Sequence, residues 1–290
     1  MNNQTSLDTL CAALCEIMGV EPPREAAPAN QELVAYAKDA LDGKNADRIF
    51  MYNPDAVARW VYEKYSHLFA EVKERTELEL PLRSVVPPVT PVCFGTMYTG
   101  TQPETHGVQA YVKPVIAIDT IFDTLLRSAK KPAIVSTAGD SLSLIYLERE
   151  MDYFIYDTVE EVNAKAAELI LADTYDFLVV YNANYDSSMH KYGPESNEAL
   201  GELRANARTF GMFDALIREH WKGHNTLVGF AMDHGCHQVV NGCTPEERAL
   251  FPELTEYLVR VLNEAKGFHG LEIPEDLDIV HFYKVYKAQE

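Results

Sequence analysis

The stretch DFLVVYNANYDSSMHKYGP, residues 176–194, carries the reading of this chain. An apolar run from Phe177 to Val180 passes into Asn182, Asn184, Asp186 and His190, and then meets Gly193 and Pro194. A short apolar run bounded by turn formers reads as a buried strand. Its polar tail is either the chain leaving its core or a strand delivering ligands. Read as a loop, the spacing Asp-x-x-x-His lets both side chains reach one ion. Either residue alone would be a cap or a surface group.

Working outward, further strands are expected at Arg48–Tyr52, Ala133–Thr137, Tyr153–Tyr156, Thr226–Met232 and Asp278–Tyr283, beside Phe177–Tyr181. Helical patterns fall between them, at 56–72, 115–130, 158–172, 197–221 and 246–265. Such alternation predicts an α/β fold, a mostly parallel central sheet with helices on both faces. Upstream, 6–19 and 30–42 read as two amphipathic helices joined by the proline-rich VEPPREAAPAN. The expected organisation is an N-terminal helical extension over 1–45 and one α/β domain over 46–290. In sheets of this kind ligands bind beyond the carboxyl ends of the strands.

The residues at those ends make chemical sense together. Asp55 follows the first strand, Asp186 and His190 follow 177–181, and Asp233 and His234 follow Thr226–Met232 in GFAMDHGCHQ. His269 stands between glycines in AKGFHGLEIPED, just before the last strand. Three Asp and three His suit Zn²⁺ or Mn²⁺. Shared as three ligands for each of two ions, they leave open positions for a substrate oxygen. Asp47 is a rival to Asp55 but precedes its strand, at the wrong end of the sheet. The group to attack is Thr90 in SVVPPVTPVCFGTMYTGTQPETHGV, where a helical pattern opens with Pro91. A hydroxyl at a helix N-terminus meets unsatisfied N–H groups and a positive dipole end. Thr90 reads equally as a cap or as a nucleophile.

Taken together, these residues resemble the alkaline phosphatase superfamily, in particular its nucleotide pyrophosphatase/phosphodiesterase branch. The likeness runs from about residue 48 to 283. TPVCFGTMYTGTQPETHG is similar to the family pattern of a nucleophilic Thr ten residues before the Gly of a Thr-Gly, followed by Pro-Glu-x-His-Gly. YDSSMHKYGP, MDHG and GFHG resemble the segments that carry the remaining ligands. The resemblance implies that Thr90 forms a covalent intermediate. It implies one ion on Asp55, Asp233 and His234, which activates Thr90. A second ion on Asp186, His190 and His269 would activate water. It makes His106 structural. The implied cofactors are two divalent ions, zinc first and manganese second, and the implied partner is a small phosphorylated substrate.

There are departures from the pattern. The family's Asp-Gly is Asp55-Ala56 here. Where many members place a phosphate-binding Asn, this chain has Tyr111, with Lys113 close behind. Either can donate to a phosphate oxygen, and Lys113 brings a charge. His237 is an additional histidine of the Asp-His-Gly loop, read as a supporting or surface group.

A competing pattern is Gly139-Asp140-Ser141-Leu142 with Asp278-Ile279-Val280-His281, which mimics a GDSL-type serine esterase. Its Gly-Asp-Ser comes mid-chain rather than after the first strand, and its Asp-x-x-His reads as strand. A turn capped by Asp140 or Ser141 is the preferred reading. A third alternative is a metal-dependent binder of phosphorylated ligands that does not turn over.

The bulk numbers bound these readings. The chain has 290 residues, 44 Asp and Glu against 25 Lys and Arg, and a formal charge of −19. So acidic a protein is a poor match for a nucleic-acid polymer. Five cysteines without a C-x-x-C pair argue against a disulfide framework. The N-terminus lacks a basic and apolar leader pattern, and no apolar run approaches a membrane span, so a cytoplasmic location is expected with no membrane partner. The two N-terminal helices could serve equally as a lid or as an oligomer contact.

Overall fold

The computed structural model describes residues 5–240 and 242–289. The first four residues of the expected extension, Asn241 and the final residue lie outside them. In chain order the strands are β1 (Thr5–Ser6), β2 (Arg48–Pro54), β3 (Leu78–Arg83), β4 (Pro132–Thr137), β5 (Asp152–Tyr156), β6 (Phe177–Asn182), β7 (Thr226–Phe230), β8 (His237–Gln238), β9 (Gly267–Phe268) and β10 (Asp278–Tyr286). Eight of them form one sheet in the order β1-β3-β10-β7-β2-β6-β4-β5. Every pairing in it is parallel except those made by β10. β8 and β9 form a separate antiparallel pair. The expected mostly parallel α/β sheet is therefore what the chain forms.

The centre of the sheet is β7-β2-β6, and its residues are buried almost without interruption. Strands covered by helices on both faces need apolar side chains on both faces, which is why they read as continuous runs. Their carboxyl ends lie side by side and lead into Asp55, Asp186 and Asp233. One network locks this end. Tyr98 Oη donates to Asn53 Oδ1 (2.7 Å), and Asn53 Nδ2 donates to the Ala231 carbonyl (2.7 Å). It ties the helix Thr90–Thr99 to β2 and to the chain leaving β7.

Three local expectations are corrected. Residues 184–192 form a helix and not a loop, so Asp186 and His190 meet as an i,i+4 pair on one helical face. Its neighbours Tyr185 and Met189, also i,i+4, bury the adjoining face. The expected helix over 246–265 is two pieces, Pro245–Arg248 and Glu256–Glu264. Pro252 disfavours helix at the residue before it, and Thr255 caps a new start by accepting from the Leu258 N–H (3.2 Å). β3 was not expected. Its Leu78, Leu80 and Leu82 alternate as a strand should, but Pro81 interrupts the pattern.

Upstream, the helices Thr9–Met18 and Gln31–Ala40 form, and Leu10, Leu14, Ile17 and Leu33 join the same hydrophobic core as the sheet. Beside the Thr90–Thr99 helix, Phe122 packs against Tyr98, Tyr146 and Phe177, with ring centroids 5.5, 4.9 and 6.0 Å away. Truncating a ring in such a setting removes its buried area and leaves a cavity. Phe122→Ala is expected to cost about 3–5 kcal/mol, seen as a lower urea midpoint with an unchanged slope.

Candidate functional site

Two groups of side chains converge beyond the carboxyl ends of β2, β6 and β7. Asp55, Asp233 and His234 form the first, Asp186, His190 and His269 the second. Within each group one ligand atom per residue lies within 4.8 Å of the others. The first group is wholly buried. In the second, the side chains of Asp186 and His190 keep 17% and 21% of their exposure, so this half opens to solvent. The groups adjoin, with the rings of His234 and His269 4.1 Å apart.

The three imidazoles are oriented alike. His190 Nδ1 lies 3.0 Å from the Gly267 carbonyl, His234 Nδ1 2.9 Å from that of Gly235, and His269 Nδ1 3.1 Å from that of Pro88. A carbonyl can only accept, so each Nδ1 carries the proton and each neutral Nε2 presents a lone pair. Those lone pairs face carboxylate oxygens. His234 Nε2 stands 3.3 Å from Asp55 and from Asp233, and His190 and His269 Nε2 stand 3.2 and 3.4 Å from Asp186. The same oxygens, Asp55 Oδ1, Asp186 Oδ1 and Asp233 Oδ2, are buried without a hydrogen-bond partner. They are near enough to the rings for a charge contact, yet make no hydrogen bond with them. Burying acceptors against acceptors is costly unless a cation lies between them. The donor set therefore fits divalent ions with nitrogen and oxygen ligands.

Burial pushes the Asp55 carboxyl up to about 7, helped by the charge of Asp186. Burial, and then Asp55, raises Asp233. Burial also acts to raise Asp186, but when no ion takes their Nε2 atoms the imidazolium forms of His190 and His269 outweigh it and hold Asp186 below the usual carboxylate range.

Local backbone supports this arrangement. Ala56 has φ 60°, in the left-handed region, and its N–H donates to Asp233 Oδ1 (3.2 Å). The turn explains why glycine suits this position. A Cβ on Gly235 would stand 2.1 Å from the Glu275 carbonyl oxygen, so the turn after His234 has room only for glycine. His281 of β10 lies 2.6 Å, through Nε2, from the Met232 carbonyl, next to Asp233.

Thr90 opens the helix Thr90–Thr99, with its Oγ1 3.3 Å from Asp55 Oδ2 and 3.3 Å from His234 Nε2. It touches the buried group and faces the place where that group converges. Lys113 is partly buried and donates to the Gly139 carbonyl (2.7 Å). Burial lowers its pKa, against the charges of Asp140, Asp55 and Asp186. Tyr111 packs against Phe251 with tilted rings (centroids 5.1 Å apart), and its phenol is raised by burial and by Asp186, Asp55, Asp140 and Asp233. Both side chains thus stand within the field of the carboxylates.

Sequence reasoning missed Tyr181, whose hydroxyl donates to Asp55 Oδ2. A phenol at the carboxyl end of an otherwise aliphatic strand is the signal that could have found it. Asp140, first read only as a cap, is raised by burial and feels Lys113 and Asp186.

Other singled-out residues lie elsewhere. His106 packs on Gly95 of the Thr90–Thr99 helix, between Thr96 Oγ1 (3.1 Å) and the Val108 N–H (3.3 Å). His237 bridges Asp276 (2.8 Å) and Glu247 (2.9 Å). Asp47 stands at the amino end of β2, where it accepts from the Asn225 N–H. The esterase triad is not assembled. His281 is engaged by Met232 and Tyr283, Asp278 pairs with Arg83, and β10 is four strands from β4, about 19 Å at ordinary strand spacing.

The model of the type I phosphodiesterase / nucleotide pyrophosphatase family matches residues 140–264. The chain resembles the nucleotide pyrophosphatase/phosphodiesterase-like branch of the alkaline phosphatase superfamily. The matched span takes in Asp186, His190, Asp233 and His234, while Asp55, Thr90 and His269 lie outside it. Murine ectonucleotide pyrophosphatase / phosphodiesterase 5 superposes with a TM-score of 0.59 at 14% identity, covering 83% of this chain and 88% of that one. Phosphonoacetate hydrolase from Sinorhizobium meliloti 1021, solved with phosphonoformate, gives 0.53 at 17% identity, covering 70% and 60%. At these identities the likeness to the solved structures is one of fold. No curated protein sequence matches the chain. Among the described residues, no helix is long and apolar enough to cross a membrane.

Two expectations follow from the scaffold around the site. Burial holds His106 and His281 down to about 4, below the ordinary value near 6.5. The unfolded chain therefore takes up these protons first, and their contribution to stability, full at neutral pH, is lost as pH falls from about 6.5 towards 4. Imidazole NMR shifts for both should remain neutral at pH 5, and the urea midpoint should be lower there than at pH 7. Ala56→Gly relieves a left-handed alanine and should stabilise the fold by about 0.5–1 kcal/mol after the entropy of the freer unfolded chain is subtracted. A raised urea midpoint would show it.

Proposed function

We propose that this protein is a phosphoester hydrolase that holds two divalent ions, zinc first and manganese second, and uses Thr90 as its nucleophile. The reading rests on one observation above the others. Three buried carboxylate oxygens without hydrogen-bond partners face three imidazole nitrogens whose protons are committed elsewhere. Asp55, Asp233 and His234 hold one ion, and Asp186, His190 and His269 hold the other. When bound, the ions supply Lewis-acid charge that lowers the pKa of a hydroxyl or water and steadies phosphoryl oxygens.

The chain's own residues then divide the work. Thr90 Oγ1, fixed at a helix N-terminus 3.3 Å from Asp55, gives up its proton to solvent and attacks phosphorus. A Thr90 O–P bond forms, and the bond to the leaving oxygen breaks with its electron pair. Water entering from the open side at Asp186 and His190 then cleaves the Thr90 ester and restores the hydroxyl. Tyr181 holds Asp55 in place, and Lys113 and Tyr111 orient the phosphoryl group or its ester. The substrate is a small phosphodiester, nucleotide pyrophosphate or phosphomonoester.

Elemental analysis of the purified protein, with turnover of di- and monoester substrates, tests this reading. About two ions per chain are expected, falling to about one in Asp186→Ala. Thr90→Ala should keep its metal yet lose on the order of a thousandfold or more in kcat. Wild-type-like turnover in Thr90→Ala would sink the nucleophile. Full metal content with no turnover of any phosphoester would leave a binder of phosphorylated ligands.

A further inference from the structure

A cavity of about 480 Å³ lies among the helices Val159–Ala172, Asn184–Tyr192 and Asn197–His220, within the size range of small-molecule sites. Thr158 and Glu160 bring the start of the first helix to it, and Asn184 is the first residue of the second. Glu202 and Asn206 present one face of the third. Among the described residues that line it, none is basic, none is aromatic and none belongs to either ion group. Its polar groups are not all satisfied. Tyr52 Oη accepts from Asn182 Nδ2 (2.8 Å) and donates to Asn206 Oδ1 (2.9 Å). That commits the oxygen of Asn206, a residue only 1% exposed, and its Nδ2 is buried without a partner. Asn184 is the converse. Its Nδ2 donates to Glu202 Oε2 (2.8 Å), and its Oδ1 is buried without a partner.

Buried donors and acceptors are costly to leave unpaired, so a free donor and a free acceptor in one wall point to an occupant that both accepts and donates. Charge narrows its class. Glu160 and Glu202, with no cation beside them in the wall, repel an anion. Two helix N-termini and a free N–H repel a cation. A wall without an aromatic ring offers no face on which a flat base could stack. A hydroxyl accepts and donates at once. We propose that the cavity binds a small neutral polyol of monosaccharide size, at a site distinct from the two ion groups. One hydroxyl accepts from Asn206 Nδ2, and another donates to Asn184 Oδ1. The site also stands behind both ion groups. Asn184 opens the helix that carries Asp186 and His190, and the carbonyl of Asn182 accepts from the Asp55 N–H (3.1 Å). An occupant therefore braces the backbone that delivers three of the ligands. The proposal does not depend on the hydrolase reading.

The test is a titration of the whole chain with D-ribose, D-glucose and myo-inositol in turn, read by NMR at the side-chain amide groups. At least one of them should move the Asn184 and Asn206 signals saturably with a shared Kd of about 1 mM. The amide of Asn45, exposed on the far surface, should stay still. If all three leave both signals in place at about ten times that concentration, the cavity holds water only and the proposal is overturned. Asn206→Asp keeps the oxygen that Tyr52 needs and turns the free donor into an acceptor. The Kd read at Asn184 should then rise about tenfold or more. An unchanged Kd in that variant would also overturn the proposal. Should the variant fail to fold, the wild-type titration decides alone. Neither readout needs turnover, so failure here leaves the hydrolase reading standing.

Discussion

The structure depends on a conflict among buried groups. Three backbone carbonyls, of Gly235, Gly267 and Pro88, take the Nδ1 protons of three histidines. That commitment leaves three basic nitrogens pointing at three carboxylates with nothing to donate. The conflict is not an accident of packing, because each carbonyl belongs to a segment that also delivers a ligand or borders the helix of Thr90. Neighbouring structure sustains it. Asn53 and Tyr98 join two strand ends to that helix, and Ala56 accepts a left-handed conformation to bring its N–H to Asp233. A fold that maintains strain and unsatisfied acceptors at one place stores there the affinity for whatever resolves them.

The order of the sheet explains how distant segments meet. β2 is separated from β6 and from β7 by more than a hundred residues in sequence, yet it lies between them and parallel to both. Their carboxyl ends are therefore within one side chain's reach of a common point, as expected for open sheets of this type. β10 runs the other way, and the turn before it brings His269 to the same end. Its own His281 steadies the carbonyl beside Asp233.

Much of this was legible in the sequence because the central strands are covered on both faces and so read as unbroken apolar runs. Once they were placed, the strand-end rule gathered Asp55, Asp186, His190, Asp233 and His234, and the glycine-flanked turn added His269, without knowledge of any contact. What was illegible had physical reasons. The helix at 184–192 is rich in Asn, Asp and Ser, which favour turns, and only Tyr185 and Met189 betray its buried face. Tyr181 reads as one more strand residue until its hydroxyl is seen on Asp55. His237 gave no hint of Asp276, its partner 39 positions away.

The two halves of the site differ in their access to water. Asp55, Asp233 and His234 are sealed, whereas Asp186 and His190 look outward. In the proposed enzyme this difference sets a sequence of exchange. A chelator reaches the outer ion directly from solvent, but reaches the inner one only after the outer ion has gone or the fold has opened. Loss of metal would then proceed in two kinetic phases, and the half-emptied protein would still hold its Thr90 ion.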